Sequence, residues 1–504
     1  MRRRHLLLGT AALAGCSLGP AYERPPLDLP LAFRATADTA AAAWPALEWW
    51  RNFHATELDQ LIERARAYNN DLLAAAARVI QADAQSRISG APLLPAVTGT
   101  GNFDYTRSGT GSSRSRSSGS SISTSNLSTT SVAGSSTGAT TGAGITTTSF
   151  STGPTQRYFD SRSYSLSLGV SYDLDFWGRN RALLQAAQAS ALASRFDQET
   201  VALTVVTSVA NTYFQILAGQ DRLAVAQRNL RDSQRILATY RARLGAGTAN
   251  ALDVSQQEAL VAGQLAQIPN YHNTIEQQRI ALGILVGTPP ERVNVQGGSL
   301  NDLPLPLVAP GLPSELLLRR PDIANAEALL IAQNANIRAA RAAFFPDVTL
   351  TASGGLTSAA LSTLTGPGTL VAQFAAALAQ PIFDNGLRRG QLDVAKGRSL
   401  ELTADYGKAI LQSFTDVEQA LTALRYTTEQ EELERRAVEV AQRSADIARA
   451  QLEAGTIDII TSLNTQQTLY NDLDLLTQIR LARFQALVNL YKALGGGWQQ
   501  GPTP

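Results

Sequence analysis

The 504-residue chain has one cysteine, three histidines and few aromatic residues. A lone thiol excludes any intramolecular disulfide. His5, His54 and His272 are far apart and form no cluster with metal-ligand spacing. No G-x-S-x-G or P-loop sequence occurs. The G-x-G within GAGTAN at 245–250 joins two helical stretches, lacks a third glycine and follows no strand. Catalysis therefore has no candidate residues, and neither a metal nor a cofactor is expected. Net charge is +1, and nothing in that balance suggests a nucleic acid or other polyanion as partner. Scarce aromatics with abundant Ala, Leu, Gln, Ser and Thr suit long helices with thin interfaces.

The N-terminus, MRRRHLLLGTAALAGCSLGP, has a basic start and a short apolar run from Leu6 to Ala14. The run is too short to span a bilayer and has the form of a secretory signal. Cys16 follows Leu-Ala-Gly and so resembles a lipobox, whose cysteine is acylated after cleavage on its N-terminal side; an ordinary signal peptide is the alternative. Ser17 resembles the residue at that position in lipoproteins sent to the outer membrane. Loss of Arg2, Arg3 and Arg4 would leave the mature chain near −2.

The chain repeats itself. NNDLLAAAARV at 69–79 matches RPDIANAEALL at 320–330, Arg87 matches Arg338, and LLPAVT at 93–98 matches FFPDVT at 344–349, all at an offset of 251. DFWGRNR at 175–181 matches FDNGLRR at 383–389, and GAGTANALD at 245–253 matches EAGTIDIIT at 453–461, at an offset of 208. The 43-residue difference marks an insertion in the first copy. Residues 106–157 hold 37 Ser, Thr or Gly and no Asp or Glu, and they read as a mobile hairpin loop. The expected organisation is a signal at 1–15, a lipidated extended segment at 16–56, repeat 1 at 57–313, repeat 2 at 314–494 and a tail at 495–504. Each repeat reads helix, strand, loop, strand, long helix, tight turn, helix.

Strands are expected near 95–105, 159–176, 347–356 and 369–383. In the second, Tyr164, Leu166, Leu168, Val170, Tyr172, Leu174 and Phe176 alternate with Ser163, Ser165, Ser167, Gly169, Ser171, Asp173 and Asp175. That period of two gives one apolar and one polar face. Proline-free stretches at 180–244 and 388–452 predict helices on the order of 100 Å long. Leu223, Leu230, Leu237 and Leu244, with Ala226, Ser233 and Tyr240, recur as a heptad. Val438, Ala445 and Leu452, with Ala441 and Ala448, do the same. Such small-residue seams suit close-packed coiled coils.

A membrane sheet must have no open edge, and single-chain bacterial outer-membrane barrels have at least about 8 strands. Four amphipathic strands therefore fall short, and several chains must share one barrel, apolar faces to lipid and serine faces to a common interior.

LLLRRPDIANAEALLIAQNANIRAARAAFFPDVTLTASGG at 316–355 resembles the signature of TolC-like outer-membrane efflux factors, in their efflux-lipoprotein (NodT-type) branch. GCSLGPAYERP at 15–25, WWRNFHATELDQLIERA at 49–65 and VNLYKALGGGW at 488–498 resemble it too. The resemblance runs from Cys16 to the C-terminus, the insert excepted. It implies a mainly α protein with membrane β structure: a homotrimer, with a 12-stranded β-barrel continued by a 12-helix α-barrel through the periplasm. It also implies that an inner-membrane efflux pump and a periplasmic adaptor deliver the exported substrate. Outer-membrane lipid is the remaining partner, and the lipid on Cys16 the anchor. A structural stalk and a passive porin are the alternatives.

A tube open at both ends leaks, so the helix–turn–helix tips are expected to close its mouth. The resemblance places a constricting ring at Ile460, Thr461 and Asn464, with Leu252, Asp253 and Gln256 as repeat-1 counterparts. Asn464 stands where relatives often carry Asp, which favours a neutral polar ring over an Ile460 collar. These residues equally suit ordinary helix starts. Gly247, Thr248, Gly455 and Thr456 resemble adaptor-contact tips, and the glycines also suit helix capping.

Overall fold

The computed structural model describes residues 22–25, 33, 45–110, 157–306, 308 and 316–499. The signal, Cys16 and residues 111–156 of the Ser/Thr/Gly-rich stretch lie outside them. The elements are α1 (Thr56–Tyr68), α2 (Asn70–Gly90), β1 (Ala96–Thr110), β2 (Arg157–Leu174), α3 (Arg179–Gly245) and α4 (Ala251–Leu285), then α5 (Leu316–Arg319), α6 (Pro321–Ala342), β3 (Asp347–Ser358), β4 (Leu370–Ala379), α7 (Leu387–Glu453) and α8 (Ile459–Ala493). They fall into a helical unit and a sheet unit, the latter formed by Pro95–Asp173 and Val348–Leu378.

The repeat is kept to the residue. Helices α3 and α7 are each 67 residues long, and α4 and α8 each 35. Both pairs start and stop at the offset of 208 seen in the sequence. Helices α2 and α6, and strands β1 and β3, start at the offset of 251. The first helix is the exception: α1 has 13 residues and α5 only four.

One joint appears twice. Helix α4 ends with Gly287 in the left-handed region (φ 67°), and α8 with Gly495 (φ 84°). In each, the glycine N–H and the next N–H turn back onto the last helical turn: Gly287 to Ile284 and Thr288 to Gly283, Gly495 to Lys492 and Gly496 to Tyr491. The chain ahead of α2 or α6 presses on that glycine. A Cβ at Gly287 would lie 2.0 Å from the Tyr68 carbonyl oxygen, and one at Gly495 1.9 Å from that of Arg319. The N-cap residue then binds the last helical carbonyl. Asn69 donates from Nδ2 to Leu285 at 2.8 Å, and Arg320 from Nη1 to Ala493 at 3.1 Å.

Seven of the aromatics gather in one core. Trp49 stacks on Tyr491 with ring centroids 4.6 Å apart. Phe53 meets Phe214 at 5.0 Å, and Phe214 meets Phe484 at 4.9 Å. Around them pack Leu58 and Ile62 of α1, Val209 and Leu217 of α3, and Leu487 of α8. Residues Trp49–Phe53 form a 3-10 turn with Trp49, Trp50 and Phe53 buried. This corrects the extended segment expected through residue 56: the stretch belongs to the helical core because its aromatics find partners on α3 and α8. The tail from 495 is also anchored, with Trp498 edge-on to Phe196 at 5.7 Å.

The heptad seams are buried as expected at Ala226, Ser233, Leu237 and Tyr240, and at Ala441, Ala445, Ala448 and Leu452. Leu244, at the end of its series, is exposed.

In the sheet unit the strands pair in the order β1-β2-β3-β4. Strand β1 runs on to Thr110, so residues 106–110 are strand and not loop. Strand β2 stops at Leu174. Asp175 instead caps α3, accepting the N–H groups of Asn180 and Arg181 at 3.0 and 2.9 Å. Strand β4 ends before Pro381, where a missing N–H would break the ladder.

Candidate functional site

The register of β1 on β2 settles which residues share a face. Val97 is opposite Val170, Gly99 opposite Leu168, Gly101 opposite Leu166 and Phe103 opposite Tyr164. Directly opposed residues point the same way, so the apolar rows of the two strands form one surface. Asn102 opposite Ser165, Thr100 opposite Ser167 and Thr98 opposite Gly169 form the other. The Thr100 and Ser167 hydroxyls are 2.8 Å apart.

In the middle of β2 the burial is inverted relative to a soluble sheet. Leu166, Leu168 and Val170 are exposed, while Ser165, Ser167 and Gly169 between them are half-buried. Leu168 is 63% exposed and Phe374 of β4 84%. Rows of exposed Leu, Val and Phe on a sheet need an apolar medium, which a bilayer supplies. Strands β1 and β4 each have one neighbour only, so each leaves an edge unpaired within the chain. Lipid does not tolerate such edges.

The second candidate region is the paired tips. Helices α3, α4, α7 and α8 share an apolar cluster of Leu237, Tyr240, Val254, Val261, Leu452 and Ile459. Each long helix ends in the same cap: Gly247 (φ 71°) and Gly455 (φ 74°) sit past the last turn. Thr248 N–H donates to Arg243 at 2.8 Å, and Thr456 N–H to Gln451 at 2.9 Å. A side chain at either glycine would meet open space, so both turns are free to touch another molecule.

Asn250 and Asp458 begin the return helices. Asn250 accepts the Leu252 N–H at 3.1 Å, and the Asp253 carboxylate accepts the Asn250 N–H at 3.4 Å. Asp458 accepts the Thr461 N–H at 2.7 Å, and that bond holds its carboxyl below the usual carboxylate range. Asp253 and Thr461 thus both serve helix starts. Leu252, Ile460, Thr461 and Asn464 are exposed in the chain, whereas Asp253 and Gln256 are half-buried. Asn464 also lines an open groove of about 590 Å³ between α7 and α8, with Val440, Ser444, Thr468 and Asp472.

Three other polar residues organise the helical unit without having been singled out in the sequence. Arg243 donates to the Leu452 and Glu453 carbonyls at 3.5 and 3.2 Å, so the end of α3 caps the end of α7. Arg320 is buried and pairs with Asp322 at 2.6 Å and Asp416 at 2.9 Å. Glu431, only 2% exposed, accepts Arg435, Arg480 and Arg483 at 3.0, 3.3 and 2.9 Å. Burial pulls the Arg480 guanidinium below its usual range. Arg320 does stand in the R-P-D of the quoted signature. Glu431 lies in EQEELERR, which looks like a solvated helix face.

Comparison with known proteins agrees with this architecture. The outer membrane efflux protein family model matches residues 61–288 and 312–496, one block per repeat. The pyoverdine export outer membrane protein OpmQ of Pseudomonas aeruginosa is 38% identical over 99% of this chain and 98% of its own. The cation efflux system protein CusC of Escherichia coli is 31% identical over 97% of each chain. The open-state structure of the MtrE outer membrane channel of Neisseria gonorrhoeae superposes with a TM-score of 0.79. It is 28% identical and covers 96% of this chain and 98% of that one. Its exposed apolar sheet, its doubled helical hairpins and its relatives place the chain in the outer membrane efflux protein family, as the outer-membrane channel component of an efflux system.

Proposed function

We infer that three copies of the chain form the working channel. Three sheets of four strands would make a 12-stranded β-barrel, and three sets of α3, α4, α7 and α8 a 12-helix α-barrel below it. The observation carrying this is the open four-stranded sheet with its apolar row turned outward. Joining β1 of one copy to β4 of the next removes both edges at once, and 12 strands leave a lumen that 8 would nearly fill.

In this account Cys16 carries the lipid that anchors the N-terminus, and the helices reach into the periplasm. The tip turns at Gly247–Thr248 and Gly455–Thr456 present an exposed surface to a periplasmic adaptor, which couples the tube to an inner-membrane pump. Ile460 and Asn464, exposed at the start of α8, narrow the mouth with an apolar collar and a neutral polar ring, backed by Leu252, Asp253, Gln256 and Thr461.

Single-channel recording of the purified full-length protein in planar bilayers tests the gate. Ile460→Ser with Asn464→Ala should raise conductance several-fold. Wild-type conductance in that variant would remove the gate from these residues while leaving the barrel intact.

A further inference from the structure

The outward row of β1 and β2 changes character beyond Tyr105. Continuing the register, Tyr105 is opposite Arg162, Arg107 opposite Asp160 and Gly109 opposite Tyr158. All of these share the face of Phe103, Leu166 and Leu168. The Arg107 guanidinium lies over the Tyr158 ring at 4.6 Å, and that of Arg162 over the Tyr105 ring at 5.9 Å. Arg107 is held loosely by Asp160 at 3.5 Å, with both side chains about half exposed. Arg162 makes no ion pair among the described residues. The opposite face at this level carries Asp104, Thr106, Ser161 and Ser163, with no cation.

From Val97 to Tyr105 the apolar row covers roughly 27 Å along the strand, or about 20 Å of height at barrel tilt. Arg107 and Arg162 therefore stand at the headgroup level, at the hairpin end of the strands and away from the ends joined to helices. Aromatic rings there mark the membrane interface. Two guanidiniums at that level, each lying over a tyrosine ring, match phosphate oxygens, which arginine binds bidentately. The ring faces of Tyr105 and Tyr158 hold both guanidiniums in place.

We propose that Tyr105, Arg107, Tyr158 and Arg162 form a binding site for the phosphorylated headgroup of an outer-leaflet glycolipid of the lipid A type. The site rests on the reading that the apolar face meets lipid. Its ligand would fix the height of the wall in the leaflet.

The test is native mass spectrometry of the full-length protein in detergent, titrated with bisphosphorylated lipid A. Wild type should retain the lipid, and Arg107→Gln with Arg162→Gln should bind it at least about tenfold more weakly. Arg162→Gln alone leaves the Arg107–Asp160 pair in place and should lose part of the affinity. Dephosphorylated lipid A, with the same acyl chains, should not be retained. Equal retention by wild type and double variant, or equal retention of the dephosphorylated lipid, would overturn the site. Displacement of the lipid by millimolar orthophosphate would assign the arginines to a free anion instead. Conductance of the same preparations separates the two levels. A double variant with wild-type conductance and lost lipid supports the site, and a wild type without channels overturns the lipid-facing wall on which it stands.

Discussion

At the offset of 208, Glu431, Arg480 and Arg483 of repeat 2 fall on Leu223, His272 and Ile275 of repeat 1. In repeat 2 the positions form a buried ionic hub. In repeat 1 Ile275 is buried in the aromatic core and Leu223 packs against it. The same backbone thus holds apolar contacts in one copy and a carboxylate among three arginines in the other. The joints vary in the same way: neutral Asn69 in one, and Arg320 with Asp322 and Asp416 in the other. What does not vary is glycine at 287 and 495, where another strand of backbone occupies the space of a Cβ. At the hub and the joints side-chain chemistry drifts between the copies, while the joint glycine does not.

That contrast can be broken by substitution. The largest effect should come from Gly287→Ala or Gly495→Ala. A left-handed Ala and a forced backbone shift together cost about 3 kcal/mol or more. Thermal unfolding in detergent should show both variants strongly destabilised; an unaffected midpoint in either would mean that the joint yields. Next comes the hub. Glu431→Gln leaves three arginines facing a neutral group and should cost about 3 kcal/mol. Glu431→Leu with Arg483→Ile, which imitates repeat 1, should cost less than the sum of its parts in a double-mutant cycle. Strict additivity would deny the equivalence of the two sites.

The caps sharpen the comparison further. Arg320→Met should cost about 2 kcal/mol, since Asp322 and Asp416 are only partly exposed. Asn69→Ala should cost about 1 kcal/mol, through a lost cap. Equal costs would argue that the ionic joint contributes no more than the neutral one. The smallest effect is confined to the tips. Asp458 titrates below its unfolded value, so its cap is present above about pH 4 and is lost as pH falls through the folded value. The protection factor of the Thr461 amide should therefore fall in acid, while that of the Leu252 amide, held by the neutral Asn250 side chain, stays unchanged. Equal loss of protection at both would show that the whole tip opens.

Much of this architecture is legible in the sequence because its periods are long and clean. The long helices begin and end within one residue of the proline-free stretches, and Leu166, Leu168 and Val170 of the alternating row are exposed on β2. Other features are written in distant partners. Trp49–Phe53 looks like part of an N-terminal arm until Tyr491, Phe484 and Phe214 cover it. The last residues of β1 look like low-complexity loop because Ser, Thr and Gly say little about pairing. Glu431 looks solvated because its cations are about fifty residues away on α8. The tip positions carry no chemical mark beyond helix capping, because a mouth shared by copies depends on register and not on residue type.

The mass of the detergent-extracted particle, measured together with hydrogen exchange across β1, β2 and β4, bears most directly on the shared wall. A particle of three chains, with β1 and β4 amides as protected as those of β2, is the result expected. A stable single chain whose β1 and β4 edges exchange freely would contradict it.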